Sequence, residues 1–347
     1  MNLYTLLRPL IFRLAPETAH HLTLNLLRLA GGTAPGRWML GAIFSAGKAA
    51  RPVQAFGLTF KNAVGMAAGY DKDGIGWRGL ACLGFGHIEL GSVTPLAQPG
   101  NPKPRLFRLV EDRAVINRMG FNNSGAENLA RRLSGWRPKD LVLGVNIGKN
   151  NDTPIEEAER DYLLLLRKFA PLADYLAVNV SCPNTPELRK LQSRQALESL
   201  LGALAKERQE QAQAMGRHLP LLVKLSPDLD DAQLDDALQA VEAAGMDGLI
   251  LTNTTTSRPP LRSALQTEWG GLSGAPLREM SLEMLRKAMR RTGGRLPIVA
   301  SGGIMTPAEA RERLDAGAVL VQVYTGLIYE GPGLVREILR CLADGGL

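Results

Sequence analysis

The sequence predicts an α/β fold, a closed (β/α)8 TIM barrel preceded by an N-terminal helical extension. From about residue 60, short apolar runs rich in β-branched residues alternate with longer amphipathic segments. Eight such runs are present: Ala63–Ala67, His87–Gly91, Leu141–Ile147, Tyr175–Val180, Leu221–Leu225, Gly248–Leu251, Ile298–Ala300 and Val319–Val323. Near-continuous apolar strands separated by helices are parallel and buried on both faces. Eight of them close a barrel of roughly 250 residues, and the 347-residue chain leaves room for an extension. An open doubly wound sheet would need a G-x-G-x-x-G turn after its first strand, which Gly65 to Gly69 does not supply.

Residues 1–50 are read as the extension and 51–347 as the barrel domain. Leu3, Leu6, Leu7, Leu10, Ile11 and Leu14 recur at helical spacing, and a second run carries Leu22, Leu24, Leu26, Leu27 and Leu29 before Gly31 and Gly32 end it. Two short helices with wide apolar faces follow from this. They fit packing on the barrel, and they fit lying in a membrane interface. The formal charge of the chain is +7. Arg8, Arg13, Arg28, Arg37 and Lys48 against Glu17 alone give the extension +4 of it. Such a segment suits an anionic lipid surface or a solvated helix face. No signal peptide is evident, and no run reaches the ~18 apolar residues of a spanning helix.

Within the barrel, helices are expected over Pro154–Phe169, Gln195–Gln213, Asp230–Ala244 and Pro307–Asp315. Two connections are long. Residues 92–140 contain Pro95, Pro99, Pro102 and Pro104, then a possible hairpin around Arg105–Asn117, and residues 253–275 are rich in Thr, Pro and Gly. Long loops of this kind often form lids or substrate loops. Cys82, Cys182 and Cys341 form neither a disulfide framework nor a metal-ligand spacing, which suits a reducing cytoplasm and no metal.

The polar outliers collect at the C-terminal ends of the predicted strands, where barrel active sites form. They are Asp71 and Lys72, Ser92, Asn146, Asn179 through Asn184, Lys224, Thr252 through Thr254, Gly302 and Gly303, and Tyr324 through Gly326. Any one of them could be a helix cap or turn former; the same bias at eight strand ends is harder to ascribe to capping. Ser301-Gly-Gly303 and Tyr324-Thr-Gly326 are small-residue turns after strands seven and eight, the common phosphate site of this fold. The neutral amides Asn117, Asn146, Asn179, Asn184 and Asn253 offer donors and acceptors to a planar ring such as a flavin or a pyrimidine. Two lysines suit an anionic reduced flavin and a substrate carboxylate.

Seven motifs then make a resemblance specific. They are Gly65-Met-Ala-Ala-Gly-Tyr-Asp-Lys-Asp-Gly74, Ile116-Asn-Arg-Met-Gly-Phe-Asn-Asn123, Val145-Asn-Ile-Gly-Lys-Asn150, Asn179-Val-Ser-Cys-Pro-Asn-Thr185, Thr252-Asn-Thr254, Gly270-Gly-Leu-Ser-Gly274 and Leu320-Val-Gln-Val-Tyr-Thr-Gly326. In this order, over residues 50 to 340, the chain resembles the dihydroorotate dehydrogenases. Pro16-Glu-Thr-Ala-His-His21 resembles the helical extension of the quinone-dependent, membrane-associated class. The resemblance implies FMN contacts at Ala68, Gly69, Tyr70, Asp71, Lys72, Ser92, Asn146, Asn179, Lys224, Thr252, Gly274, Gly303, Tyr324 and Thr325. It implies substrate contacts at Lys72, Asn117, Arg118, Met119, Gly120, Phe121, Asn179, Asn184, Asn253 and Thr254. Cys182 would be the base that removes the C5 proton of dihydroorotate, with hydride passing from C6 to flavin N5 and Lys224 stabilising the charge left on the flavin. His20, Arg108 and Tyr324 would neighbour the quinone. The implied protein is a monomer bound peripherally at the cytoplasmic face of the inner membrane, without a nucleic-acid partner.

Two positions depart from the pattern. Ser92 stands where the family often has Thr, which keeps the hydroxyl. Cys182 stands where the quinone class usually has Ser; Cys marks the soluble class that uses fumarate or NAD. That soluble class is therefore the first alternative. An FMN-dependent dihydrouridine synthase acting on tRNA is a second, although residues 51–347 carry little excess charge for RNA. A membrane-docked barrel scaffold is the non-enzyme alternative, and it leaves the polar rim unexplained.

Overall fold

In a computed structural model that describes residues 3–181 and 191–344, eight parallel strands close into a barrel. The chain order is α1 (Leu3–Ile11), α2 (Pro16–Gly32), α3 (Ala34–Phe44), β1 (Val53–Ala55), β2 (Leu58–Phe60), β3 (Val64–Met66), α4 (Trp77–Ala81) and β4 (His87–Val93). Next come β5 (Leu106–Leu109), β6 (Ala114–Asn117), α5 (Ala126–Leu133), β7 (Val142–Ile147), α6 (Ala158–Phe169), β8 (Tyr175–Asn179), α7 (Arg194–Met215), β9 (Leu221–Leu225) and α8 (Asp231–Ala243). The remainder is β10 (Gly248–Leu251), β11 (Gly271–Gly274), α9 (Arg278–Thr292), β12 (Ile298–Ser301), α10 (Pro307–Asp315), β13 (Leu320–Val323), α11 (Thr325–Glu330) and α12 (Leu334–Asp344). Around the barrel the order is β3, β4, β7, β8, β9, β10, β12, β13 and back to β3. All eight runs predicted as strands are the barrel strands.

The barrel residues are buried throughout, which is why their runs read as apolar without alternation. Helix ends follow local chemistry. Asp230 and Gln233 form a reciprocal capping box on α8, and Thr306 caps α10 ahead of Pro307. Inside the lower barrel, Phe60, Val142, Leu222, Val299 and Leu320 form an apolar layer. The β1–β2 hairpin, which sequence periodicity does not reveal, plugs this end with Phe56 and Phe60.

At the other end the expected hairpin is β5–β6, and β11 adds a third antiparallel strand drawn from the long 253–275 connection. The extension differs more from expectation. It holds three helices in place of two: α2 ends at Gly32 as expected, and α3 begins at Ala34. Gly31 also serves close approach. A Cβ on Gly31 would lie 2.2 Å from the Gly79 backbone nitrogen, and one on Gly79 would lie 2.3 Å from the Leu27 carbonyl. Thus α2 and α4 pack backbone to backbone. Arg105 adds an ion pair to Glu17 at 2.8 Å. Burial works against the Glu17 charge, but hydrogen bonds from Arg105 and Lys103 outweigh it and hold the carboxyl below its ordinary range.

Replacing Gly31 with Val is therefore expected to part α2 from α4, at a cost of about 1–3 kcal/mol of overpacking. Urea unfolding measures the loss, and limited proteolysis should cut the extension first while the barrel persists. Wild-type protease resistance in the variant would contradict this docking.

Candidate active site

A cleft opens at the C-terminal ends of the barrel strands. Strand alternation aims Ala67, Asn179, Lys224, Thr252, Ser301 and Gln322 into it from six different strands or their ends. Its floor is an amide network. Asn179 Nδ2 donates to Ser92 Oγ at 2.9 Å and to Asn146 Oδ1 at 3.2 Å. Asn253 Nδ2 donates to Ser181 Oγ at 3.1 Å. Lys224 is nearly sealed from solvent; burial lowers its pKa and the nearby Glu89 opposes that. Lys72 sits at the side, its Nζ donating to Asn122 Oδ1 at 2.6 Å with Met119 Sδ at 3.5 Å.

One end of the cleft is backbone. Gly302 and Gly303 follow β12 with φ of 104° and 71°, which L side chains rarely adopt. A Cβ on Gly303 would lie 2.3 Å from the Arg278 Cα, and one on Gly326 would lie 2.4 Å from the Ile304 carbonyl. The turns after β12 and β13 therefore pack against each other without side chains, leaving peptide groups to face an anion. Thr325 Oγ1 lies 2.9 Å from Ser273 Oγ and joins these turns to β11. Backbone donors at one end, amides and lysines at the other, fit a planar ring system carrying a phosphate.

Most of the residues expected to contact cofactor or substrate line this cleft: Ala68, Gly69, Lys72, Ser92, Asn117, Met119, Gly120, Phe121, Asn179, Lys224, Thr252, Asn253, Thr254, Gly274, Gly303, Tyr324 and Thr325. Four do not. Asp71 turns back to accept from the Ile75 and Gly76 backbone at 2.8 Å. Burial raises its pKa to about 6 against those two bonds. Asn146 is fully buried one step beneath the floor. Arg118 leaves the cleft for Glu268 and lies over the rings of Phe107 and Trp269 at 4.3 and 5.1 Å. It latches the 253–275 connection to the β5–β6 hairpin. Tyr70 faces a second cavity. Cys182 and Asn184 lie outside the described residues. Sequence reasoning missed Gln322 and Ser273, which sit within a strand and gave no terminal signal.

The second cavity lies between the extension and the barrel. Apolar residues dominate its lining, among them Phe12, Ala19, Leu26, Leu27, Leu40 and Phe44, with His20, Tyr70 and Arg108 at the polar points. Leu106, Val115 and Tyr324 line both cavities. The rings of His20, Tyr70 and Tyr324 meet edge to face, at 5.2 and 5.6 Å. Arg108 donates to the Phe12 carbonyl at 3.1 Å and lies over its ring.

A closed parallel barrel with a phosphate-turn cleft at its mouth defines a cofactor-binding (β/α)8 enzyme. The dihydroorotate dehydrogenase family profile matches residues 52–345. A dihydroorotate dehydrogenase (quinone) of Azotobacter vinelandii is 49% identical over 98% of this chain and 97% of its own length. One from Azoarcus is 50% identical over 99% of both. A crystal structure of the Eimeria tenella enzyme in complex with ferulenol aligns with a TM-score of 0.83 at 38% identity, covering 93% of this chain and 89% of that one. The chain belongs to the dihydroorotate dehydrogenase family, whose members are flavin-dependent. Both the tRNA-modifying and the scaffold alternatives fall with this assignment. The curated relatives carry the quinone class name over nearly the full chain, extension included, in spite of Cys182.

Burial lowers the pKa of His20 to about 4, with His21 and Lys72 adding to the effect. A histidine with a depressed pKa is neutral above it, so His20 should stay uncharged from pH 5.5 to 8. Titration of its ring followed by NMR should show no protonation step in that range. A midpoint near the ordinary value of ~6.5 would contradict its burial.

Proposed function

We propose that this chain oxidises (S)-dihydroorotate to orotate in pyrimidine biosynthesis, with FMN as prosthetic group and a quinone as electron acceptor. The observation that carries the reading is the pair of cavities of opposite chemistry sharing the wall of Leu106, Val115 and Tyr324. FMN, when bound, supplies a two-electron acceptor that one reactant can load and another unload. The glycine turns at Gly302, Gly303 and Gly326 would hold its phosphate, and Ser92, Asn179, Lys224 and Thr252 its ring.

Within the polar cleft, Lys72 complements the substrate carboxylate, and Asn117, Asn179, Asn253 and Thr254 match the alternating N–H and C=O groups of the pyrimidine ring. Asn184 is assigned to the same contact set by its motif. Lys224 provides the positive charge that electrostatic stabilisation needs in a water-excluded floor. Cys182 takes the C5 proton at Sγ, an assignment that rests on its place after Asn179-Val-Ser181 at the end of β8. A thiol titrates near ~8.5, and lysine charge nearby favours the thiolate.

Quinone would occupy the apolar cavity, with His20, Arg108 and Tyr324 as neighbours. Leu6, Leu7, Leu10, Leu22, Leu29 and Trp38 are exposed on α1 to α3, beside that cavity, and support peripheral binding to the inner membrane at its cytoplasmic face. No helix among the described residues is long and apolar enough to cross a membrane. The acting unit is taken as the monomer, since both cavities are formed within one chain.

Steady-state oxidation of dihydroorotate with ubiquinone, menaquinone, fumarate and NAD offered in turn tests the reading directly. Turnover with a quinone is expected; turnover with fumarate or NAD alone would move the chain to the soluble class. Deleting residues 1–48 should abolish quinone turnover and leave the anaerobic bleaching of the flavin by dihydroorotate in place, provided the barrel folds. Cys182→Ser should keep activity with its optimum moved to higher pH, because a hydroxyl is a far weaker acid. Cys182→Ala should slow the anaerobic reaction by ~10²-fold or more. An alanine variant at wild-type speed from pH 6 to 9 would mean that another group is the base.

A further inference from the structure

Beneath the cleft floor the barrel interior holds polar groups to which the chemistry above assigns no task. Glu89 lies mid-strand in β4 and is 0% exposed. Its Oε1 accepts from Asn146 Nδ2 at 2.8 Å and stands 3.9 Å from Lys224 Nζ. Its Oε2 accepts from Gln322 Nε2 at 2.8 Å and from the Tyr175 hydroxyl at 3.1 Å. Each of these neighbours offers a proton. A neutral carboxyl would have to donate one, so the set suits the ionised form.

Space for this arrangement is built into the barrel. A Cβ on Gly144 would lie 2.1 Å from the Tyr175 ring, and one on Gly65 would lie 2.0 Å from the His87 ring. His87 and Tyr175 are the other titratable groups facing this interior. Burial lowers His87 to about 3, and burial together with Glu89 raises Tyr175, so both are neutral in the working range. The remaining strands send in uncharged residues: Gly65, Asn146, Ile250, Val299, Ser301 and Gln322. Glu89 is therefore the counter-charge available to Lys224 among the described residues.

We infer that Glu89 is a positioning residue of the cofactor site: its buried carboxylate keeps Lys224 an ammonium at the cleft floor and, through Asn146, fixes Ser92 and Asn179. A lysine buried alone sheds its proton, because low polarity disfavours the charged form. An adjacent carboxylate reverses that preference. Asn146 relays the same anchor upward. One end donates to Glu89, and the other accepts from Ser92 and from Asn179. Two of the groups lining the floor thus inherit their orientation from an acid that lines no cavity.

This inference rests on the reading of the cleft as the FMN site, and one experiment separates the two. FMN is removed, and its dissociation constant is measured by fluorescence quenching from about pH 6 to 9.5 for wild type, Glu89→Gln and Glu89→Asp. The lysine cation is present below its pKa and lost above it, so affinity should fall on the alkaline side. Without the carboxylate that fall should begin at least about one pH unit lower. Glu89→Asp keeps the charge one methylene further away, so its fall should shift less. In a Lys224→Met background, Glu89→Gln should add no shift. A merely structural role would weaken binding equally at every pH. An alkaline fall that stays in place in whichever Glu89 variant folds overturns the inference, and so does a wild-type fall already under way near pH 7. Failure of the wild-type apoprotein to take up FMN at any pH would instead overturn the reading of the cleft.

Discussion

A carboxylate and an ammonium buried in one barrel interior are tolerated only when each answers the other's charge and every remaining lone pair and proton finds a partner. Glu89 and Lys224 meet at 3.9 Å, and Asn146, Gln322 and Tyr175 complete the acid's hydrogen bonds. That requirement reaches through several strands. Tyr175 can reach across because β7 carries Gly144 opposite it, and His87 fits because β3 carries Gly65. Below, the layer around Phe60, Leu222 and Leu320 keeps water from entering at the bottom of the barrel. Above, the same network ends in the hydroxyl and amides of the floor. The barrel interior thus runs from apolar to ionic to amide, and the polarity of the cleft is set by what lies under it.

Closure of the site on its other side depends on backbone proximity. Gly31, Gly76 and Gly79 let α2 lie against α4 with no side chains between them. This brings His20 to the edge of Tyr70, whose ring in turn meets Tyr324. The cavity between extension and barrel is lined along the length of α2, from Pro16 to Ala30, so the helix position sets its shape. A β-carbon at any of these glycines would push the helix outward and move the aromatic wall with it. Docking of the extension and the shape of the apolar cavity are one packing problem.

The eight barrel strands were legible because strands buried on both faces carry a continuous apolar signal, against which Lys224 and Asn179 stood out. The phosphate turns were legible because Gly302, Gly303 and Gly326 sit where this fold places them. What periodicity missed has physical reasons. Helix α3 starts at Ala34, two residues after the stop at Gly32, and has no buried residue to mark an apolar face. Strand β11 is short and glycine-rich, and its pairing with β6 spans some 150 residues of chain. Asp71, Asn146 and Arg118 stand in the right motifs, but their side chains are taken up by a turn, by the floor beneath and by a lid latch. Position on a rim does not say which way a side chain turns. Glu89 carries no rim signal because it lies in the first half of β4, below the strand ends where the other polar residues collect.

On the proposed assignment, the two cavities would let one chain serve two reactants that differ much in polarity. A planar anion needs lysines, amides and a floor that does not relax, and these come from strand ends anchored in the barrel. A long apolar reactant, on the proposed reading, would need a wall of leucine and phenylalanine, and the extension supplies one from helices whose outer faces are also apolar. If both entered by one mouth, each would have to be stripped of water in a site suited to the other, and the polar groups of the floor would lose partners to an apolar occupant. Placing Leu106, Val115 and Tyr324 between the sites keeps them separate while leaving a wall only one layer of side chains thick. On that assignment electrons would cross the layer, whereas neither reactant would. On this reasoning the extension is as much a part of the active site as the barrel strands, because without it the far side of that wall would face water.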